Sequence, residues 1–305
     1  MGKYKIIQLE KDDKFYPQRL KILKMPPKLY VIGDYKILNN DSIAIIGSRN
    51  FSENGRNMAE KFSKELTQKG LVIVSGLAIG IDTIAHYSCI ENGGKTIAVL
   101  GSGFNNIYPE ENIQLYNLIL ETGGAVISEY NPDEKVKKSN FPTRNRIVSG
   151  LALGTLVIEA GYRSGTSITA NKTIEQGKPV FCIPNSIGNK NSCGTINLVL
   201  RGANLVKSSE NILSKLPKLN NTVVPSIPKT VNIKEKIELQ QIVKKLENTE
   251  QIKIVTCIYN NKEIDVNCIS KICQLSIQNV NSELMNLEIQ GIVIQKTGNK
   301  FIINT

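Results

Sequence analysis

Residues 139–170 read SNFPTRNRIVSGLALGTLVIEAGYRSGTSITA. The apolar run at residues 153–158 has the length of a strand and predicts one that is buried on both faces. The run ends at Glu-Ala-Gly, and the Ser-Gly-Thr-Ser sequence at 164–167 then opens a helix. A helix that follows Pro142 leads into the strand. The stretch therefore predicts a helix, a buried strand, a polar turn and a second helix, which is the repeating pattern of an α/β fold.

The same alternation continues on both sides of this stretch. Further strands are predicted at residues 43–46, 71–74, 96–100, 125–128 and 180–183. Helices are predicted at residues 52–68, 80–86, 110–120, 167–175 and 195–200. Apolar strands that alternate with helices predict an α/β fold with a doubly wound, Rossmann-like parallel sheet.

Glycine- and serine-bearing loops follow four of the predicted strands. They lie at residues 47–49, 75–80, 101–103 and 161–167. In a doubly wound sheet, ligands bind beyond the carboxyl ends of the strands, where N–H groups at helix starts favour anions. A single such loop is explained by the need for a tight turn. Four of them beside several arginines favour a phosphate-binding rim, and these arginines are Arg49, Arg144, Arg146 and Arg163.

The loops match neither of the common nucleotide-binding fingerprints. Gly76 and Gly80 are spaced GxxxG rather than GxGxxG, and GxxxxGK[ST] does not occur in the sequence. The sequence therefore disfavours NAD, FAD and P-loop ATP chemistry, and we predict no cofactor.

Composition sets the broad class of the protein. The 305 residues are enough for about two domains, and a hydrophobic content of 41% supports a sizeable core. The formal net charge of +11 suggests a polyanionic partner, although a solvated surface could also carry it. Neither a secretory signal nor an apolar run near the ~20 residues of a membrane helix is present, so we expect a cytoplasmic protein without membrane contact.

Cysteine and histidine usage argues against two kinds of site. The six cysteines show no CxxC pair and no metal spacing, so they are predicted to be free thiols. His86 is the single histidine and lies on a predicted helix, where a packed or capping role is the more common one. A histidine-based triad or a protein metal site is therefore not expected.

Four segments are predicted along the chain. Residues 1–40 form a short N-terminal segment that ends in an edge strand at 29–32, and residues 41–215 form the sheet domain. Prolines among Asn, Thr and Lys predict a linker at 216–248. Residues 249–305 carry three predicted helices and a hairpin that turns at Thr-Gly-Asn, the elements of a winged helix.

The charge balance of this last segment is unlike that of a sequence-specific DNA-binding domain. Its third predicted helix begins SIQNVNSE at residue 276 and holds no lysine or arginine there. Across residues 249–305, five lysines balance five carboxylates, so the excess positive charge lies elsewhere. Duplex binding draws heavily on phosphate neutralisation. A protein-interaction or accessory role is therefore favoured over sequence-specific reading of DNA.

The quoted motifs resemble those of the DNA-processing protein A (Smf) family. The matching stretches are AIIGSRN (44–50), IVSGLAIGIDTIAH (73–86), GSGFNNIYPEEN (101–112), SEYNP (128–132), FPTRNRIVSGLA (141–152), VIEAGYRSGTSITA (157–170), VFCIPN (180–185) and GANLV (202–206). The resemblance implies a non-enzymatic protein that binds and protects single-stranded DNA, helps to load the RecA recombinase in natural transformation, and forms a homodimer through the sheet domain.

By position, the resemblance implies a DNA-binding set on the four loops and the helix after Pro142. The set comprises Ser48, Arg49, Gly76, Gly80, Gly101, Ser102, Phe141, Arg144, Asn145, Arg146, Ser164, Gly165 and Thr166. Phe141 is the natural platform for a stacked base, although a core position is the alternative. Arg144 and Arg146 lie about 200° apart on a regular helix and cannot both face one phosphate. One of them is expected to anchor the loop instead, with Glu159 as a candidate partner.

Two other functions remain open. Phosphoribohydrolases that resemble the lysine-decarboxylase-like (LOG) family use the same type of sheet with a Pro-Gly-Gly…Gly-Thr-x-x-Glu signature. Here three residues separate Gly154-Thr155 from Glu159, and Pro-Gly-Gly is absent. A nucleotide-sensing module that binds no polymer is the other possibility, and it predicts mononucleotide affinity equal to that for oligo-dT.

Overall fold

The computed structural model describes residues 4–162, 164–185, 191–225, 242, 246 and 248–304. The chain divides into two compact units, Met1–Val231 and Asn232–Thr305. We call them unit 1 and unit 2 and describe each by itself.

Within the described residues, unit 1 is built on a nine-stranded sheet. Strands β1 to β9 are Ile7–Leu9, Leu29–Gly33, Ser42–Ile46, Val72–Ser75, Thr96–Val99, Ala125–Ser128, Thr155–Val157, Val180–Cys182 and Asn204–Leu205. Their order is β1-β2-β6-β5-β4-β3-β7-β8-β9. The seven strands from β6 to β9 in this order pair in parallel, whereas β2 pairs antiparallel with β6 and β1 with β2.

Helices cover both faces of this sheet. Helices α1 to α7 are Glu53–Gln68, Ile81–Glu91, Ile113–Glu121, Asn140–Leu151, Gly165–Glu175, Cys193–Leu200 and Ser209–Leu213. Ile43 and Ile45 of β3 belong to a core cluster with α1 and α2, whereas Ala44 and Ile46 belong to a second cluster with α4 and α5. Successive strand residues face opposite sides of the sheet, so β3 is buried on both faces. The doubly wound sheet predicted from the sequence is confirmed.

Two strands of this sheet, β1 and β2, lie within the predicted N-terminal segment. β2, predicted as the edge strand, lies between β1 and β6. β1 itself was not predicted, because three residues carry too little periodic signal. Tyr16 and Leu20 are fully buried in the core cluster that also holds α4. The N-terminal segment therefore extends the sheet and covers one of its faces.

The strand order places four loops on one rim. β4 pairs with one edge of β3, and β7, which comes later in the chain, pairs with the other edge of β3. The carboxyl ends of β3, β4, β5 and β7 therefore meet where the order reverses. This is the position at which doubly wound sheets bind their ligands.

His86 lies in the core beneath this rim. Its Nδ1 lies 2.6 Å from Thr96 Oγ1, and the Thr96 hydroxyl donates to the Ile73 carbonyl. The Thr96 oxygen therefore accepts, and Nδ1 carries the proton. Burial, followed by the charge of Arg144, lowers the pKa of His86 to about 3, so the ring is neutral at physiological pH. The histidine has a packed role, as the sequence suggested.

Residues 216–223 belong to unit 1 and not to a linker, which corrects the predicted boundary at 215. The backbone N–H groups of Asn220 and Asn221 donate to Asp41 Oδ2 at 2.7 and 2.9 Å, and Val223 N donates to the Gly70 carbonyl. Leu216 is 8% exposed. These backbone and core contacts hold the segment against unit 1. In the rest of the predicted linker, residues 226–241, 243–245 and 247 lie outside the described residues.

Unit 2 contains three helices and a three-stranded antiparallel sheet in its described part. Helices α8, α9 and α10 are Thr249–Asn261, Val266–Cys273 and Ile277–Ile289, and strands β10, β11 and β12 are Ile264–Asp265, Val293–Lys296 and Lys300–Ile303. β12 pairs with both β10 and β11. These elements are the ones that a winged helix requires, and assignment to that fold stays a prediction.

Candidate nucleic-acid interface

The rim holds a narrow cleft between two of the predicted loops, residues 108–109 and α4. It is lined by Arg49, Gly76, Ala78, Ile79, Tyr108, Pro109, Phe141 and Arg144. Its enclosed volume of about 20 Å³ holds about one water molecule. A base cannot enter this space, so a ligand would lie across the mouth.

Arg49 is the exposed cation of this cleft. Its side chain is exposed and makes no hydrogen bond or ion pair within the described part of the chain. Ser48 shapes the turn that presents it, since the Ser48 hydroxyl bonds the backbone of Asn50 and the Ser48 carbonyl accepts from Ile81 N at 3.2 Å. Arg49 therefore keeps its donors for an external anion, whereas Ser48 is already engaged.

The second loop fits closely against the first. Gly80 has a φ of +99°, and a Cβ on it would overlap the Ser48 carbonyl and the Arg49 backbone. Leu77 adopts a φ of +56°, which is uncommon for a residue with a side chain. Gly76 N donates to Asp82 Oδ2 at 3.0 Å. The loop is thus fixed by α2, and its backbone approaches Arg49 because Gly80 has no side chain.

Arg144 is buried and serves the protein backbone. It is 5% exposed and donates from Nη1 to the carbonyls of Gly76 and Val99, which lie at the ends of β4 and β5. A Cβ on Gly76 would lie 2.8 Å from Arg144 Nη2 and 2.9 Å from Asp82 Oδ2. Arg144 therefore joins two strand ends to α4. Its Nη1 donors are bonded to these carbonyls and are not available to DNA.

Burial and the charge of the neighbouring group have opposite effects on the pKa values of Arg144 and Asp82. Burial lowers the pKa of Arg144 to about 10, and the nearby Asp82 carboxylate partly restores it. Burial also raises the pKa of Asp82, against the lowering effect of Arg144 and of the Gly76 and Ala78 N–H groups. Arg144 stays charged at neutral pH, so a positive centre underlies the cleft.

Arg146 pairs with Glu129 and not with Glu159, the candidate partner. Its Nη2 lies 2.5 Å from Glu129 Oε2, next to the end of β6, and the pair is half-buried. Glu159, the candidate partner, instead accepts from Ser52 N at 3.0 Å, from Ser52 Oγ at 2.5 Å and from Asn191 Nδ2 at 3.2 Å. The expectation that Glu159 anchors an arginine is wrong, because Glu159 fixes the start of α1. Arg146 is likewise not among the residues that line the cleft.

Two aromatic rings form one wall of the cleft. Phe141 is half-buried, and its ring centroid lies 5.5 Å from that of Tyr108, which is 43% exposed. Gly101 supports the Phe141 ring, since a Cβ there would lie 2.8 Å from Phe141 Cδ1. Ser102 is 1% exposed and its carbonyl accepts from Ser128 Oγ, so its role is structural. Tyr108 was missed by sequence reasoning because it stands in a loop without a periodic pattern.

The loop after β7 is hydrogen-bonded to the loop after β3 and to α4. Thr166 Oγ1 donates to the Gly47 carbonyl at 3.0 Å, and Asn145 Nδ2 donates to the Gly165 carbonyl at 3.3 Å. Ser164 caps α5 by accepting from Ser167 N. Asn145, Ser164, Gly165 and Thr166 thus hold the rim in shape, and none of them lines the cleft itself.

Lys138 adds a cation that the sequence interpretation overlooked. It is exposed, lies three residues before Phe141 in the loop that leads to α4, and has no ion pair among the described residues. A solvated lysine beside an aromatic residue and a helix start was the signal that could have revealed it.

Comparison with known proteins assigns the chain to a family. Residues 8–217 match the family model described as DNA recombination-mediator protein A. The chain belongs to this family. The matched range begins inside β1 and ends in the segment that packs on Asp41, so it coincides with nearly the whole of unit 1.

Relatives and solved structures support the assignment. The chain is 43% identical over 206 residues to protein Smf of Escherichia coli, a match that covers 67% of this chain and 55% of that protein. It is 41% identical over 209 residues to DNA processing protein DprA of Bacillus subtilis, covering 68% and 70%. The structure of DprA from Streptococcus pneumoniae superposes with a TM-score of 0.66 at 40% identity, over 71% of this chain and 76% of that one.

Other types of site find no support in the described residues. In that part of the chain, no group of three histidine, cysteine or carboxylate side chains is arranged to hold a metal ion. Among the same residues, no helix is both long and apolar enough to cross a lipid bilayer.

Proposed function

We propose that this family member binds single-stranded DNA across the rim cleft and acts as a recombination mediator. The observation that carries the proposal is the Tyr108–Phe141 pair beside the exposed Arg49. Sequence-tolerant single-strand binding combines aromatic platforms with cations that follow the backbone. The DNA processing protein A of Helicobacter pylori, whose structure concerns its single-stranded DNA binding mode, is 31% identical with a TM-score of 0.61. That match covers 70% of this chain and 95% of that one.

The geometry favours a single strand over a duplex. The cleft is too small to admit a base, so a base would stack on the exposed aromatic faces while its phosphate meets Arg49 and Lys138. In a duplex the bases are stacked on each other and their faces are not available to Tyr108 or Phe141. Stacking therefore contributes only when the strand is unpaired.

We further propose that the protein protects this strand and passes it to the RecA recombinase in the cytoplasm. The family description as a recombination mediator supports this proposal. A binding role is favoured over a phosphoribohydrolase role, because the Glu159 carboxylate is 1% exposed and is engaged by Ser52 and Asn191. It would have to give up these bonds to act on a substrate.

Arg49→Ala is expected to weaken oligo-dT binding about ten-fold or more, because a charge-assisted bond to phosphate is lost. The slope of log affinity against log salt should also fall by about 0.7, the effect of one single-strand phosphate contact. Fluorescence anisotropy over a salt series measures both quantities.

The matched control for Arg49→Ala is Lys69→Ala. This variant removes the same charge before the amino end of β4, at the end of the strand opposite the rim. If the two variants bind oligo-dT equally well, Arg49 contributes only to the net charge and the proposed contact is wrong.

We propose that the homodimer forms through the β9 edge of unit 1. β9 is the last strand of the sheet in the described part of unit 1. Leu205 on this strand and Leu200 before it are 58% and 81% exposed. An unpaired strand edge with exposed leucines invites association with a second copy. Residues 1–225, which keep the segment on Asp41, are expected to dimerise and to bind oligo-dT as the full chain does.

Sedimentation of the 1–225 fragment and of Leu200→Glu tests this dimer. We expect the fragment to sediment as a dimer and the Leu200→Glu variant of the full chain as a monomer. A monomeric fragment that no longer binds DNA would show that unit 2 is needed for both properties.

A further inference from the structure

The cavity that the rim proposal leaves unused lies between α5 and α6. It has a volume of about 330 Å³, against about 20 Å³ for the rim cleft. A volume of this size lies within the range of small-molecule sites. We call it the α5–α6 cleft.

Polar side chains line most of the cleft on both helices. The lining positions on and before α5 are 164, 167, 168 and 171, and those on and after α6 are 194, 197, 198 and 201. Both sets follow the i, i+3, i+4, i+7 pattern of a single helix face. Packed helix faces are normally apolar, but here Ile168 and Leu198 are the only large apolar members. The cleft is therefore an open space between two largely polar helix faces.

The cleft has a defined direction. Arg201 Nη1 donates to Asn171 Oδ1 at 3.0 Å and joins the helices at one end, while Ser164 and Gly194 lie at the other end, where both helices begin. Seven helical residues rise about 10 Å. The cleft thus runs from the Ser164 turn on the rim down to the Arg201–Asn171 pair, a length that one nucleotide can span.

The lining groups suit the edge and face of a base. The amide of Asn197 presents donors and an acceptor in one plane. Asn171 keeps its amide donors beside the Oδ1 that accepts from Arg201, and Arg201 retains further N–H donors. Such groups read the edges of unpaired bases, while aromatic rings take their faces. Tyr162, at the mouth, is 66% exposed. An apolar ligand would leave these polar groups unmatched, and a polyanion would meet the single described cation, Arg201.

We propose that the α5–α6 cleft binds one nucleobase of the single strand that lies on the rim, turned out of line beside Ser164. Tyr162 meets the face of this base, and Asn171, Asn197 and Arg201 bond its edge. The inference rests on the proposed function, since the strand delivers the base. A free nucleoside monophosphate has the same chemistry, and the experiments separate the two sources.

Photo-crosslinking locates the base directly. Oligo-dT that carries 5-iodouracil at each position in turn is bound to the full-length protein, irradiated and digested with trypsin. Tyr162 lies in the tryptic peptide 147–163 and Phe141 in 139–144, so the two sites are resolved by mass. We expect crosslinks in both peptides, at different oligonucleotide positions. Crosslinks in 139–144 without any in 147–163 would overturn the cleft proposal.

Affinity measurements test the edge contacts. The double variant Asn197→Ala/Arg201→Gln changes exposed side chains and should bind oligo-dT at least about five-fold more weakly than the charge-matched Lys69→Gln. Equal affinities of the two variants would remove the cleft from the binding site. Circular dichroism melting of both variants checks that neither effect comes from unfolding.

The outcomes distinguish this inference from the proposed function. If the wild-type protein binds oligo-dT and only the cleft variant behaves like its control, the rim proposal stands and the cleft proposal fails. If the wild-type protein binds dTMP as tightly as oligo-dT and the cleft variant loses both, the cleft is a site for free nucleotides and the strand proposal fails. If the protein binds neither ligand, both proposals fail.

Discussion

We expect Arg144→Ala to lower the free energy of unfolding by about 3–5 kcal/mol. The substitution removes the bonds to the Gly76 and Val99 carbonyls and leaves Asp82 buried without its cation. An unpaired buried charge and unsatisfied carbonyls both destabilise the folded state. Urea unfolding followed by circular dichroism measures the change.

Two further variants make this result specific. Arg49→Ala should change stability by less than about 0.5 kcal/mol, because Arg49 is exposed. Adding Asp82→Asn to Arg144→Ala should recover part of the loss, since the remaining carboxylate is neutralised. A loss of less than about 1 kcal/mol for Arg144→Ala would show that this arginine is not a structural tie and is available to DNA.

Phe141→Ala should lose about 1–3 kcal/mol of oligo-dT affinity, whereas Phe141→Trp should keep most of it. The ring is half-buried against Tyr108 and Gly101, so one face is supported while the other reaches the cleft mouth. Every base has a π-face, so the loss should be similar for oligonucleotides of different sequence. Anisotropy titration and thermal melting are measured on the same samples.

A core role for Phe141 predicts a different pattern. Removal of a packed ring would lower the melting temperature by several degrees, and Trp would be tolerated no better than Ala. The exposed Tyr108 provides the comparison, because Tyr108→Ala should weaken binding with little effect on melting. Unchanged affinity per folded molecule in Phe141→Ala would end the stacking proposal.

The sheet could be predicted because its strands are continuous apolar runs between glycine-bearing turns. β3 and its neighbours are buried on both faces, so their patterns are unambiguous. β1 has three residues, and its place at the sheet edge depends on pairing with β2, which no local pattern encodes. Likewise, the prolines near residue 217 indicated a linker, but backbone bonds to the distant Asp41 hold that segment on unit 1.

The rim could be predicted in position but not in detail. The helical angle between Arg144 and Arg146 correctly indicated that they have different roles. The carboxylate partner of Arg146 depends on strand order. Glu129 follows β6 and Glu159 follows β7, so each of these carboxylates follows a buried strand in the sequence. Sequence spacing cannot decide which carboxylate lies beside α4. Tyr108 was invisible for a similar reason, since its contact with Phe141 joins two loops that are distant in sequence.

Competition between single- and double-stranded DNA of equal length, measured over a salt series, tests the central claim most directly. The rim combines aromatic faces with cations, so oligo-dT should bind at least about ten-fold more tightly than duplex at physiological salt, and both should weaken as salt rises. Equal affinity for the two forms at physiological salt, or no binding to oligo-dT, would contradict the account.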